Sequence, residues 1–152
     1  MCGCDQTECE ISDILFVLDA SGSIRGFYEH QKEYVAGIAD KLNIDPNAQH
    51  VGLILYSSKY RKRLIIPLDQ APTKQEFLRT VQRLPFYSGI TATGAALNLS
   101  ISALEKRRVD KRTAVLVLTD GFSYDRVNEA SDILNKLPNV LTVVAAIFQV
   151  SL

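Results

Sequence analysis

At 152 residues, 47% hydrophobic and 22% charged, the chain has the make-up of one globular domain, long enough to bury a core without metal or disulfide staples. Its 17 basic and 17 acidic residues cancel, which gives no support to nucleic-acid or membrane-surface binding. No apolar run reaches the roughly 18 residues of a membrane-spanning helix. Residues 1–5 carry neither the basic start nor the apolar core of a secretion signal. The cysteines, Cys2, Cys4 and Cys9, crowd into a tail over residues 1–10. An odd number leaves at least one thiol free or paired outside the chain. That pattern reads as an extracellular tether with partners elsewhere in a longer protein. A zinc site is not expected, because His30 and His50 have no ligand spacing to those thiols; both histidines read as surface or helix-end residues.

In chain order, residues 11–19 contain the apolar run Ile14-Leu15-Phe16-Val17-Leu18, the pattern of a central strand buried on both faces. A polar loop, Asp19-Ala20-Ser21-Gly22-Ser23, follows. Residues 28–42 repeat apolar positions at helical spacing, with Tyr34, Val35, Ile38, Ala39 and Leu42 on the inner stripe. Strands are predicted over 51–56 and 64–68. The short link Ser57–Arg61 makes that pair an antiparallel hairpin, and Pro67 suits an edge position. Thr73 with Glu76 three residues on predicts a capped helix through Leu84, stopped by Pro85. The loop over 88–94 leads into a helix over about 95–108, with Ala96, Leu97, Ser100, Ile101 and Leu104 inward. A strand over 113–118 ends in Thr119-Asp120-Gly121. A helix over 126–137 and a strand over 141–148 complete the pattern.

Strands alternating with helices imply a doubly wound α/β domain: a mostly parallel central sheet, one antiparallel edge strand, and helices on both faces. In such sheets ligands bind beyond the carboxyl ends of the strands, where strand order reverses. Asp19 and Asp120 both stand there, each directly after an apolar strand. Asp19, Ser21 and Ser23 alternate in one loop, and Gly22 lets the backbone turn between the serines. Thr91 adds a hydroxyl and Asp120 a second carboxylate. All five are hard oxygen donors, suited to Mg²⁺, Mn²⁺ or Ca²⁺ rather than to a soft metal. With only two formal charges, such a set leaves a cation electrophilic and open to an anionic partner oxygen. The bland alternative makes Asp19 an N-cap and the serines and Asp120 turn formers.

These segments carry a resemblance. Asp19-Ala20-Ser21-Gly22-Ser23, Gly89-Ile90-Thr91-Ala92-Thr93-Gly94-Ala95-Ala96-Leu97 and Leu118-Thr119-Asp120-Gly121 resemble the three metal-site motifs of the von Willebrand factor type A domain, also called the integrin inserted domain. The resemblance covers about residues 11–148, within a domain taken as 11–152. It implies a metal-ion-dependent adhesion site holding Mg²⁺ or Mn²⁺ through Asp19, Ser21, Ser23, Thr91 and Asp120. It also implies a protein partner that presents an Asp or Glu carboxylate. Family members usually continue with another helix and an edge strand. The chain stops at Leu152, so those elements are expected to be missing and the sheet edge bare.

The function expected is therefore a metal-dependent adhesion or matrix-binding module, extracellular and part of a longer protein, with no catalysis and no direct membrane insertion. The main alternative is an intracellular assembly module on the same fold, which a missing signal peptide favours and the cysteines oppose. A phosphoryl-transfer hydrolase of the haloacid dehalogenase type also places an Asp after its first strand. It needs a second acid two positions on, where this chain has Ser21. Three further features are expected to be secondary. Asn98-Leu99-Ser100 is a glycosylation pattern inside a predicted helix. Phe27, Tyr28, Phe122 and Tyr124 either rim the binding face or pack loops onto the core. The basic runs over 59–63 and 106–112 read as solvated faces and strand edges.

Overall fold

The computed structural model describes residues 11–120 and 123–146; the cysteine tail, Phe122 and the end of the last predicted strand lie outside them. The elements are β1 (Asp13–Asp19), a 3₁₀ segment (Gly22–Phe27), α1 (Tyr28–Asp40), β2 (Val51–Tyr56) and β3 (Lys62–Ile66), then α2 (Lys74–Gln82), α3 (Thr93–Ala103), β4 (Thr113–Thr119), α4 (Asn128–Lys136) and β5 (Val140–Ala146). Strand order is β3-β2-β1-β4-β5. The β1–β2, β1–β4 and β4–β5 pairs are parallel, and β2–β3 is the antiparallel hairpin.

Alternation along the central strands sorts two cores. Phe16 and Leu18 of β1, with Leu53 and Leu55 of β2, face α1 and α2 and pack with Val35, Phe77 and Val81. Leu15 and Val17, with Ile54 and Tyr56, face α3 and α4 and pack with Ala96, Leu104 and Leu134. Strands buried on both faces cannot alternate with polar residues, so β1 and β2 read as continuous apolar runs. The Phe16 and Phe77 rings lie 5.4 Å apart and join sheet to helix.

Some expectations are corrected. Tyr34 is 50% exposed, not on the inner stripe of α1. The buried face runs through Tyr28, Gln31, Val35 and Ala39, and one residue's step of about 100° carries Tyr34 off it. β3 starts at Lys62, earlier than its apolar residues, and ends before Pro67. As an edge strand it carries charge on its open face while Lys62 and Arg63 pair with Tyr56 and Leu55. α3 starts two residues early and gives way at Leu104 to a 3₁₀ turn. The capping box on α2 is as expected: Thr73 Oγ1 accepts from Glu76 N–H, and Glu76 accepts from Thr73 N–H.

The amino end of the sheet is pinned by Asp13, 1% exposed, which accepts two bonds from the Arg108 guanidinium and one from His50 N–H. That charge pair lies opposite the end where β1 and β4 deliver Asp19 and Asp120. Sheet order reverses between β1 and β4, and it is there that the fold leaves a crevice.

Candidate functional site

Three loops meet at this crevice. The loop after β1 is stitched to the loop before α3 by Gly22 N–H donating to Gly89 O (2.8 Å) and Ser88 N–H donating to Ala20 O (2.8 Å). The second loop turns through Ser88 (φ 61°) and Gly89 (φ 84°). Glycine meets the second left-handed position without strain; Ser88 adopts its own at a cost typical of functional loops. From beneath, buried Gln31 of α1 donates to Asp19 O (2.8 Å), and the Tyr56 and Thr93 hydroxyls bond at 3.0 Å.

The outcome is a triangle of hydroxyls. Thr91 Oγ1 lies 2.6 Å from Ser21 Oγ, Ser21 Oγ lies 3.1 Å from Ser23 Oγ, and Ser23 Oγ lies 3.3 Å from Thr91 Oγ1. Asp19 sits at its base, fully buried, accepting from Ser21 N–H (2.8 Å) and from Thr119 Oγ1 (2.9 Å). Burial raises the Asp19 carboxyl above its ordinary value, against the pull of the Ser21 and Thr119 hydrogen bonds, and the charge of Asp120 adds to the rise. Asp120 lines one open cleft with Ser23, Gly89, Ile90, Thr91, Ser123 and Tyr124. Ser23 is exposed and Asp120 half-buried, so the cleft opens to solvent on their side. The five residues expected from sequence thus come to one place: four joined by hydrogen bonds and Asp120 on the same cleft wall.

A hard divalent cation fits this donor set. Every candidate donor is oxygen, and among the described residues no group of three or more His, Cys, Asp or Glu could hold a metal ion, so the candidate set rests on two carboxylates and three hydroxyls. Asp19, a buried carboxylate near a second one and bonded among the described residues to a backbone N–H and a hydroxyl, is the kind of group a cation would stabilise.

Sequence reasoning missed one group that builds the site. The Asp125 carboxylate accepts from Gly94 N–H and Ala95 N–H (both 2.8 Å), capping α3 from 30 residues away. Ser123 Oγ donates to Asp125 Oδ1 (2.7 Å) and accepts from Thr93 N–H (3.1 Å), while Tyr124 N–H donates to Thr91 O (2.6 Å). This clasp holds the loop carrying Asp120 against the loop carrying Thr91. The sequence signal was Ser123-x-Asp125 just after Thr119-Asp120-Gly121, a pairing no local capping rule exposes. Asp125→Asn would turn an amide N–H toward one of those backbone donors. The expected cost is about 1–2 kcal/mol of stability and roughly tenfold in cation affinity, read by titration well below the melting temperature. Unchanged affinity would reduce Asp125 to a helix cap.

Of the aromatics, Tyr124 is 81% exposed on the cleft rim, whereas Tyr28 is buried against Phe86 and Phe27 packs on the core. Asn98 is exposed on α3, but Ser100 of the same pattern is buried and donates to Ala96 O.

Fold and crevice together define a doubly wound domain with an open cleft at its switch point, where Ser23, Thr91 and Asp120 meet. The chain belongs to the von Willebrand factor type A domain family, whose family model matches residues 13–151. Human vitrin is 32% identical over 126 residues, which are 82% of this chain and 18% of vitrin, so the chain spans about a fifth of that relative. Among solved structures, manganese-loaded TRAP protein of Plasmodium vivax superposes with a TM-score of 0.79 at 24% identity, covering 92% of this chain and 58% of that one. Proximal thread matrix protein 1 from the mussel byssus, in a form described as having a zinc occupied MIDAS motif, gives 0.77 at 23% identity, covering 91% and 38%.

Proposed function

We propose that the domain is a metal-ion-dependent protein-binding module of the adhesion or matrix type. In this reading Asp19, Ser21, Ser23, Thr91 and Asp120 hold Mg²⁺, with Mn²⁺ or Ca²⁺ as substitutes, and an Asp or Glu side chain of a partner protein completes the site. The observation that carries it is the hydroxyl triangle of Ser21, Ser23 and Thr91 seated over buried Asp19. When bound, a divalent cation supplies an electrophilic point for an incoming carboxylate. The chain's own residues do the rest. Asp19 fixes the Ser21 backbone, Thr119 fixes Asp19, and the Asp125 clasp sets Thr91. Open Ser23 and Asp120 leave the approach from solvent free.

The metal-loaded TRAP structure and the zinc-occupied mussel protein lend support through a shared fold. Ser21 stands where a phosphoryl-transfer hydrolase would need its second acid, which supports binding rather than catalysis. The likeness to vitrin supports a reading in which the domain works outside the cell, within a longer protein.

Thermal melts test the reading. Mg²⁺ at 100 times its dissociation constant stabilises a one-site protein by about 2.7 kcal/mol. The melting temperature should therefore rise by roughly 5–10 °C and return with EDTA. Equal melting temperatures with Mg²⁺, Mn²⁺, Ca²⁺ and EDTA would sink it.

A further inference from the structure

Two arginines are held in place beside the cleft. The Arg25 guanidinium stacks 5.2 Å from the Phe86 ring centre and donates to Ser88 Oγ (3.3 Å). The Arg61 guanidinium stacks 5.3 Å from the Tyr87 ring centre and donates to Tyr87 O (3.0 Å). Phe86, Tyr87 and Ser88 are consecutive, and three residues further on the same loop presents Thr91. Both arginines are exposed, and among the described residues neither forms an ion pair with a carboxylate. Stacking on aromatic faces reduces the freedom a long cationic side chain would lose on binding.

Arg61 also belongs to the β2–β3 hairpin tip, where Lys59 and Tyr60 are exposed and Tyr60 is 87% accessible. The hairpin is fastened to the site loop by Ala92 N–H donating to Ser57 O (2.7 Å). One flank of the cleft is therefore basic. Its wall carries exposed Ile90 and Tyr124. The positive charge does nothing to hold a cation, and its sign opposes one. It suits what comes after: a negatively charged partner.

The geometry points to Arg25 and Arg61 as a second anchor for an acidic protein segment, one that offers one carboxylate in the cleft and further carboxylates to the guanidiniums. This rests on the proposed metal-dependent reading for the first carboxylate only. A protein segment, rather than a sulfated glycan, is favoured by Ile90 and Tyr124, which give apolar contact to a peptide chain next to the charged flank. Guanidinium–carboxylate contacts need no metal, so the anchor holds a residual affinity when the cation is removed.

The test measures binding of the chain to surface-immobilised poly-L-glutamate, in Mg²⁺ and in EDTA, for wild type and for Arg25→Gln/Arg61→Gln. A Lys106→Gln/Lys111→Gln variant, altered at the opposite end of the sheet, controls for overall charge. Circular dichroism melts verify that each variant is folded. Wild type should bind in Mg²⁺ and weakly in EDTA. The arginine variant should bind roughly fivefold to tenfold more weakly in Mg²⁺ and lose the EDTA-resistant part. The lysine variant should match wild type. Arginine-variant binding equal to wild type, with EDTA still abolishing it, would overturn the anchor and leave the metal reading standing. Arginine-dependent binding indifferent to EDTA would support the anchor and remove the metal reading. An equal loss in the lysine variant, or arginine-dependent capture on immobilised heparin with none on poly-L-glutamate, would also overturn the anchor.

Discussion

Asp19→Ala is expected to lower divalent-cation affinity by more than about 100-fold, beyond what changes to supporting residues around a metal cost. Asp19 is one of only two carboxylates among the five candidate donors, and the one at the base of the hydroxyl triangle. Its loss removes half the formal charge facing the ion and takes away the acceptor that Ser21 N–H and Thr119 Oγ1 share. The fold is expected to survive. In EDTA the wild-type carboxylate is buried without a cation, so losing it relieves desolvation while forfeiting hydrogen bonds. The two effects oppose each other and leave a net change under about 2 kcal/mol. The signature is thus a protein that melts close to wild type in EDTA and gains nothing from Mg²⁺. A variant that still gains several degrees from Mg²⁺ would show that Asp19 is not a ligand.

Gly94→Ala is expected to destabilise strongly, against the usual gain from replacing a helical glycine. A Cβ built at Gly94 would lie 2.0 Å from Arg126 O and 3.0 Å from both Arg126 C and Asp125 Cγ. Two of those atoms are backbone and cannot swing away, so the 123–126 loop would have to withdraw. Withdrawal breaks the Asp125 bonds to Gly94 and Ala95 N–H and moves the loop bearing Asp120. A cost of roughly 3 kcal/mol or more follows, or about 10 °C in melting temperature for a domain of this size. Gly37→Ala in α1 is the matched control, since nothing lies within 4 Å of the added methyl. It should stabilise by about 0.5–1 kcal/mol. Similar behaviour of the two variants would mean that the close packing at Gly94 is not maintained in solution.

The same clasp shows where sequence reading worked and where it ran out. β1, β2 and β4 were legible because strands buried on both faces must be apolar throughout. That the five candidate residues lie close together was legible because each sits at or just beyond a strand end or at a glycine turn, which fixes its place once strand order is known. The start of α3 was not. Its cap is Asp125, far along the chain, and Ala92 at the N-cap offers no side-chain oxygen. β3 was shifted because charge on an edge strand costs little, so hydropathy understates its length. Tyr34 went astray because a helical stripe tolerates one position of rotation before an aromatic leaves the core. Arg61 was read within a solvated basic run and is exposed, while Arg25 drew no reading. What sequence could not supply was their stacking on consecutive aromatics.

Local chemistry was thus visible where a short segment contains it, and hidden where two loops create it together. The central claim is of the second kind, because it needs Asp120 to act with residues about 30 to 100 positions away. Calorimetric titration of Mg²⁺ into wild type and Asp120→Ala addresses it most directly. Saturable one-site heat in wild type that disappears in the variant is the result predicted; no heat in wild type, or the same heat in both proteins, would contradict it.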